Sequence, residues 1–328
     1  MLICLKIQKF YIRLIYLSFD TTQVTDMSYM FYFSSVTRLD LKNFKTPRLK
    51  NINFIFANCY SLEYIDISNF DTSSLTNLSG ILQGCTKLTS INLGKIDTSN
   101  IRDMSAMFSY CYSLKSLDLS FFNTRNVASM KSMFQFCNSL EYLNIGSFDT
   151  SNVSDLSYMF MGCKELTSLS LTNFETKNVK DISGMFQDCN NITSLDLHNF
   201  DTTNVEKMTG LFYNCYALTS LNLDSFKTSN VINLSNMFKN CGGLLSLNLA
   251  NFDVSKVTQM DEIFSYCISL KSLDIRNFDM TYVKSYNNMF LSCNNLTVTL
   301  NYEKFKSSYW IIPDYVNVIN ISSFESSL

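Results

Sequence analysis

Apolar positions along this chain follow two local rhythms and one long period. A stretch such as Leu114, Leu117 and Leu119 ends in period-two alternation, which predicts a short strand with leucines inward. A polar segment follows, Phe-Asp-Thr-Ser-Asn at 148–152. Its small side chains bond nearby backbone, so it predicts a turn that can cap a helix. Val153, Leu156, Met159, Phe160 and Cys163 come next at three- and four-residue spacing, which predicts one face of a short helix.

The whole pattern then repeats. Cysteines stand at 59, 85, 111, 137, 163, 189, 215, 241, 267 and 293, every interval being 26. Residues 138–163 read NSLEYLNIGSFDTSNVSDLSYMFMGC and residues 190–215 read NNITSLDLHNFDTTNVEKMTGLFYNC. An earlier unit fits with one residue deleted, since Phe31 and Phe56 are 25 apart and its cysteine is missing. One such unit cannot bury its apolar face alone; stacked units make a continuous core. The expected fold is therefore α/β, a leucine-rich-repeat-like solenoid (an alpha-beta horseshoe) of about eleven 26-residue coils, each a short strand plus a short helix. Residues 11–300 form one solenoid domain in this reading, after an N-terminal segment 1–10 and before a C-terminal cap 301–328 that holds Trp310 and Pro313. Tyr11, Leu14, Tyr16 and Phe19 fall in phase with the repeat, so the basic, apolar N-terminus reads as an imperfect first coil. Lys6, Lys9 and Arg13 break any stretch long enough for a leader or a membrane span.

Composition sharpens the picture. Only 16% of residues are charged, against roughly 25% in an average globular domain. Net charge is −2 and the cations are scattered, so no nucleic-acid partner is expected. Phenylalanines, 27 in all, fall mostly in two columns, for example Phe148, Phe174, Phe200 and Phe134, Phe160, Phe186, which read as core.

Candidate chemistry is sparse. The cysteine column sits at inward positions and reads as reduced core thiols; stacked coils would also allow an occasional disulfide. Zinc spacing is absent, and no cofactor is expected. His198 is the one histidine, and Gly242-Gly243 is an isolated pair rather than a phosphate loop. Carboxylates recur in two columns. Asp66, Asp118, Asp196 and Asp274 share an outward strand position with Asn92, Asn144, Asn222 and Asn248, while Asp71, Asp97, Asp149, Asp201 and Asp253 share the turn. Paired acids could serve glycoside hydrolysis, but a column repeated coil after coil marks a structural rule, with the turn Asp as a local backbone acceptor. The outward strand face is the best binding candidate, with Tyr64, Asp66, Asp118, Tyr142, Asn144, Asp196, His198, Asp274 and Arg276 on it.

The run L-x-x-L-x-L-x-x-F-D-T-S-N-V-x-x-M-x-x-M-F-x-x-C resembles the repeat of the BspA-like leucine-rich-repeat surface proteins, and is similar above all to the form found in mycoplasma surface lipoproteins. The resemblance covers most of the chain. It implies surface display or secretion and non-catalytic adhesion to a protein or other macromolecule, such as a host or matrix protein. Two other readings remain: an intracellular scaffold of the same fold, and a carbohydrate-active solenoid enzyme using paired Asp.

Overall fold

The computed structural model describes residues 20–94, 96–305 and 312–321. The N-terminal first coil, Cys4 and Trp310 lie outside them. The chain divides into two compact units, Met1–Leu166 and Thr167–Leu328.

Each unit is a stack of coils. In the first, strands β1 (Tyr64–Asp66) and β2 (Ser90–Asn92) pair in parallel, as do β3 (Ser116–Asp118) and β4 (Tyr142–Asn144). In the second, β5 (Ser246–Asn248), β6 (Ser272–Asp274), β7 (Thr297–Leu300) and β8 (Asn317–Asn320) form one parallel sheet. Partners are 26 residues apart at Ser246↔Ser272, but 25 apart at Ser272↔Thr297, so the last repeat is one residue shorter. The segment read as a C-terminal cap carries a strand, β8, that pairs with β7.

Where the sequence predicted a helix, the structure has none: the described residues contain no α-helix, only two short 3-10 turns at Met280–Tyr282 and Tyr302–Phe305. The inward set is as expected, since Val127, Met130, Met133, Phe134 and Cys137 are all 0% exposed. The backbone bonding is not helical. The N–H groups of Met104, Ala106, Phe108 and Tyr110 donate to the carbonyls of Ser129, Lys131, Met133 and Gln135 in the next coil, at 2.7–3.0 Å. Those of Met107, Ser109 and Cys111 donate three residues back within their own coil. The second unit repeats this at Gly210, Phe212 and Asn214, which donate to Ser235, Met237 and Lys239. A second parallel ladder runs beside it, Asn77↔Asp103↔Ser129↔Asp155 in one unit and Asp181↔Lys207↔Asn233↔Gln259↔Ser285 in the other. Both sides of a coil thus advance by one strand spacing, about 4.8 Å. A helix with its side chains is about 10 Å wide and cannot stack at that interval, so successive tight turns replace it.

Those turns require left-handed backbone at two positions per coil. All positive-φ residues but Gly94 fall in two columns four apart, such as Ala106 and Tyr110, or Asn236 and Asn240. A non-glycine there costs about 1–2 kcal/mol, least for Asn and Asp, and glycine or Asn fills many of these positions. At Gly80 and Gly84 space matters as well. A Cβ would fall 2.2 Å from the Phe54 ring and 2.3 Å from Asn58 Oδ1.

Side-chain columns complete the core. Phe134 lies between Phe108 and Phe160 at 5.8 Å each, planes within 2° and 6°. In the second unit Phe212 lies between Phe186 and Phe238 at 5.7 Å each. The turn Thr is buried. Thr124 Oγ1 donates to the Asp149 carbonyl at 2.9 Å and accepts from the Asp149 N–H at 2.8 Å. The turn Asn reaches the other way: Asn152 Nδ2 donates to the Arg125 carbonyl at 2.8 Å. The turn Asp bonds locally as expected, Asp149 Oδ1 accepting from Ser151 N–H at 2.9 Å and its hydroxyl at 2.6 Å. Each letter of Phe-Asp-Thr-Ser-Asn therefore has its own contact.

The cysteines at 59 through 293 are free and buried. Cys137 donates its thiol proton to the Phe108 carbonyl of the preceding coil at 3.2 Å, and Cys241 does so to Phe212 at 3.1 Å. Burial pushes the Cys59 and Cys137 thiols up to about 12. A thiolate-specific reagent in mildly alkaline buffer should leave all ten column thiols unmodified until denaturant is added. Rapid labelling of a mid-column thiol such as Cys137 in the native protein would show that the column is open to solvent.

Candidate binding surface

The outward strand positions are where sequence placed them. In the first unit Asp118 and Tyr142 are exposed, while Tyr64, Asp66 and Asn144 are half-buried. In the second, Asp196, His198 and Arg276 are exposed and Asp274 is half-buried. Alternation along three-residue strands explains this, because the central Leu or Ile points inward and its neighbours point out.

The acids on this face already have work. Asp66 Oδ1 accepts from Ser68 N–H at 2.9 Å and from its hydroxyl at 2.6 Å, and Oδ2 accepts from Asn92 Nδ2 at 2.9 Å. Tyr64 donates its hydroxyl to the same Oδ2 at 3.4 Å. Asp118 Oδ1 accepts from Ser120 N–H at 2.9 Å, and Asn144 Oδ1 from Gly146 N–H at 3.3 Å. Asp118 and Asn144 are also register partners. These bonds hold the carboxylates below their usual range, through the Ser68 hydroxyl for Asp66 and the Ser120 N–H for Asp118. Tyr64 goes the other way, raised by burial and then by the Asp66 charge.

In the second unit two side-chain pairs on this face are local. His198 Nδ1 lies 2.7 Å from Asp196 Oδ1, and the His198 side chain draws the acid downward in pKa. Arg276 bonds Asp274 through Nε at 2.9 Å to both oxygens and through Nη2. Among the described residues no group of three or more His, Cys, Asp or Glu converges as a metal site would. None of their helices is long and apolar enough to cross a membrane.

Sequence reasoning missed one surface feature. Tyr29, Tyr32, Phe33, Phe54 and Tyr60 form a connected group of rings in the first unit, four of them 41–55% exposed. The signal was present as YMFYF at 29–33, but its phase with Phe31 drew the reading to the core.

The comparisons with known proteins bear on the repeat itself. A family model described as "Mycoplasma protein of unknown function, DUF285" matches residues 8–117, 50–142, 85–194, 137–244 and 217–311. This chain belongs to the DUF285 family. Membership agrees with the mycoplasma-type repeat read from the sequence. A search of curated proteins found no match. Among solved structures, the DUF285 chain is similar to a leucine-rich cell surface protein from Faecalibacterium prausnitzii, at 16% identity over 88% of this chain and 87% of that one, TM-score 0.44. It is also similar to a leucine-rich repeat protein from Bacteroides ovatus, at 19% identity over 91% and 88%, TM-score 0.33.

Proposed function

We propose that this DUF285 protein is a non-catalytic binding module, displayed on a cell surface or secreted, that engages a protein or another macromolecule through its outward strand face. In this reading the repeat over 11–300 acts as one solenoid domain. The observation that carries it is the exposed row of small polar and aromatic positions on paired parallel strands, with Asp118 and Tyr142 outward and Leu117 inward. Extended faces of this kind are what solenoids offer to partners. Asp66 and Asp118 on it are hydrogen-bonded and held ionised, which suits recognition and leaves them without the proton a general acid needs.

A second reading, an intracellular scaffold, draws on the free cysteine column, which suits a reducing compartment. Protease added to intact source cells separates the two. Degradation of this protein while a cytosolic control survives supports surface display. Binding to immobilised matrix proteins should then weaken at least tenfold in Tyr142→Ala, with the melting temperature unchanged. Survival in intact cells, with cleavage after lysis, favours the scaffold and sinks the adhesin.

A further inference from the structure

We propose that the aromatic corner of the first unit binds a neutral carbohydrate, at a site separate from the strand face. The rings are joined edge to face and face to face. Tyr29 meets Tyr32 at 5.4 Å and stacks on Phe54 at 5.2 Å, while Phe33 meets Tyr32 at 4.4 Å and Tyr60 at 5.8 Å. Three of the five sit on left-handed backbone: Tyr29 at φ 57°, Phe33 at 59° and Phe54 at 55°. Bulky aromatics are costly there, and the next coil has Gly80 and Gly84 at the same positions. Gly80 also leaves room for the Phe54 ring, which a Cβ would meet at 2.2 Å. Costly backbone thus holds rings on the surface, where burial does not repay them.

The chemistry of the corner selects the ligand. Residues 27–37, 51–62 and 77–86 contain no Asp, Glu, Lys or Arg. Asp26, at its edge, is occupied by Ser28 N–H at 2.8 Å and the Ser28 hydroxyl at 2.6 Å, and Arg38 belongs to the strand side, where it bridges to Tyr64. A nucleic acid or an anionic membrane would need cations here. The large exposed apolar residues of these coils are all aromatic, Tyr29, Tyr32, Phe33 and Tyr60, and their rings touch one another. Ring faces with negative π-clouds take the C–H face of a pyranose, and the exposed tyrosine hydroxyls can bond its hydroxyls. Two of the buried side-chain oxygens without a partner, Ser34 Oγ and Asn53 Oδ1, belong to the residues next to Phe33 and Phe54.

Native affinity electrophoresis tests this in gels containing dextran, mannan, galactomannan or a soluble β-glucan, with heparin and hyaluronate as charged controls. At least one neutral polysaccharide should retard the full chain, and Tyr32→Ala and Tyr60→Ala should each weaken that retardation about tenfold. Phe33→Gly removes a ring while easing the backbone, so it should lose binding and keep or raise the melting temperature. Migration unaffected by all four neutral polymers overturns the proposal, as does equal retardation of wild type and ring variants or stronger retardation by heparin. Ring-dependent capture by phosphatidylcholine vesicles without any polysaccharide effect also overturns it, in favour of an apolar partner. The matrix-protein assay scores the strand face separately, so either site can fail alone.

Discussion

Phe134→Ala is expected to destabilise the first unit by about 3–5 kcal/mol. Phe134 is 0% exposed and lies 5.8 Å from a near-parallel ring on each side, so truncation removes two aromatic contacts and opens a cavity. The site cannot easily close over that cavity. Phe134 N–H donates to Met159 O at 2.9 Å, and the Phe134 carbonyl accepts the Cys163 thiol at 3.3 Å, so the following coil fixes its backbone on both sides of the residue. In a repeat protein the loss is local to adjacent coils. Denaturant melts should shift, and hydrogen exchange should quicken around residues 104–163 before the rest of the unit. A change under about 1 kcal/mol would show that this phenylalanine column is not the core that holds the coils together.

The inward residues were legible because burial leaves a periodic trace. Leu117, Phe122, Val127, Met130, Phe134 and Cys137 are all 5% exposed or less. The backbone between Val127 and Cys137 was not legible from those same residues, because an α-helix and a run of three-residue turns place the same side chains inward. What separates them is the left-handed pair of positions in each coil. Gly80 with Gly84, and Asn236 with Asn240, carry that signal openly. Tyr110, Phe136 and Tyr158 at the same register hide it, since their side chains suggest packing rather than a required φ. The strand face divides in the same way. Alternation gave its exposure, but the bonds that occupy Asp66 and Asp118 depend on the chain bending just after each strand.

One rule links the low charge to the fold. Each coil bends where an Asx side chain accepts from the N–H two residues on, as at Asn144, Asp149 and Asp155, and coils are tied by neutral Thr and Asn. Like charges stacked every 4.8 Å would repel, whereas hydroxyls and amides can donate and accept along the stack. On the strand face the carboxylates alternate with Asn, as in Asp66, Asn92, Asp118 and Asn144, whereas in the turn column Asp71 and Asp97 stand on adjacent coils.

Thr124→Val tests that rule with almost no change in shape, and it should cost about 2–3 kcal/mol. The hydroxyl of Thr124 serves both the N–H and the carbonyl of Asp149, and valine offers neither an acceptor nor a donor. Two backbone groups in a half-buried place then lose their partner at once. Thr124→Ser keeps the hydroxyl and loses only a methyl, so about 0.8 kcal/mol is expected for it. The chain contains its own control at Val254, the same register position. There the following coil departs from the others: Asp279 caps the 3-10 turn Met280–Tyr282, and no threonine stands above it. The threonine bridge ends there, while the strands of these coils stay paired. If Thr124→Val and Thr124→Ser melted at the same temperature, the hydroxyl bridge would be incidental, and the coils would be held by their rings and strands alone.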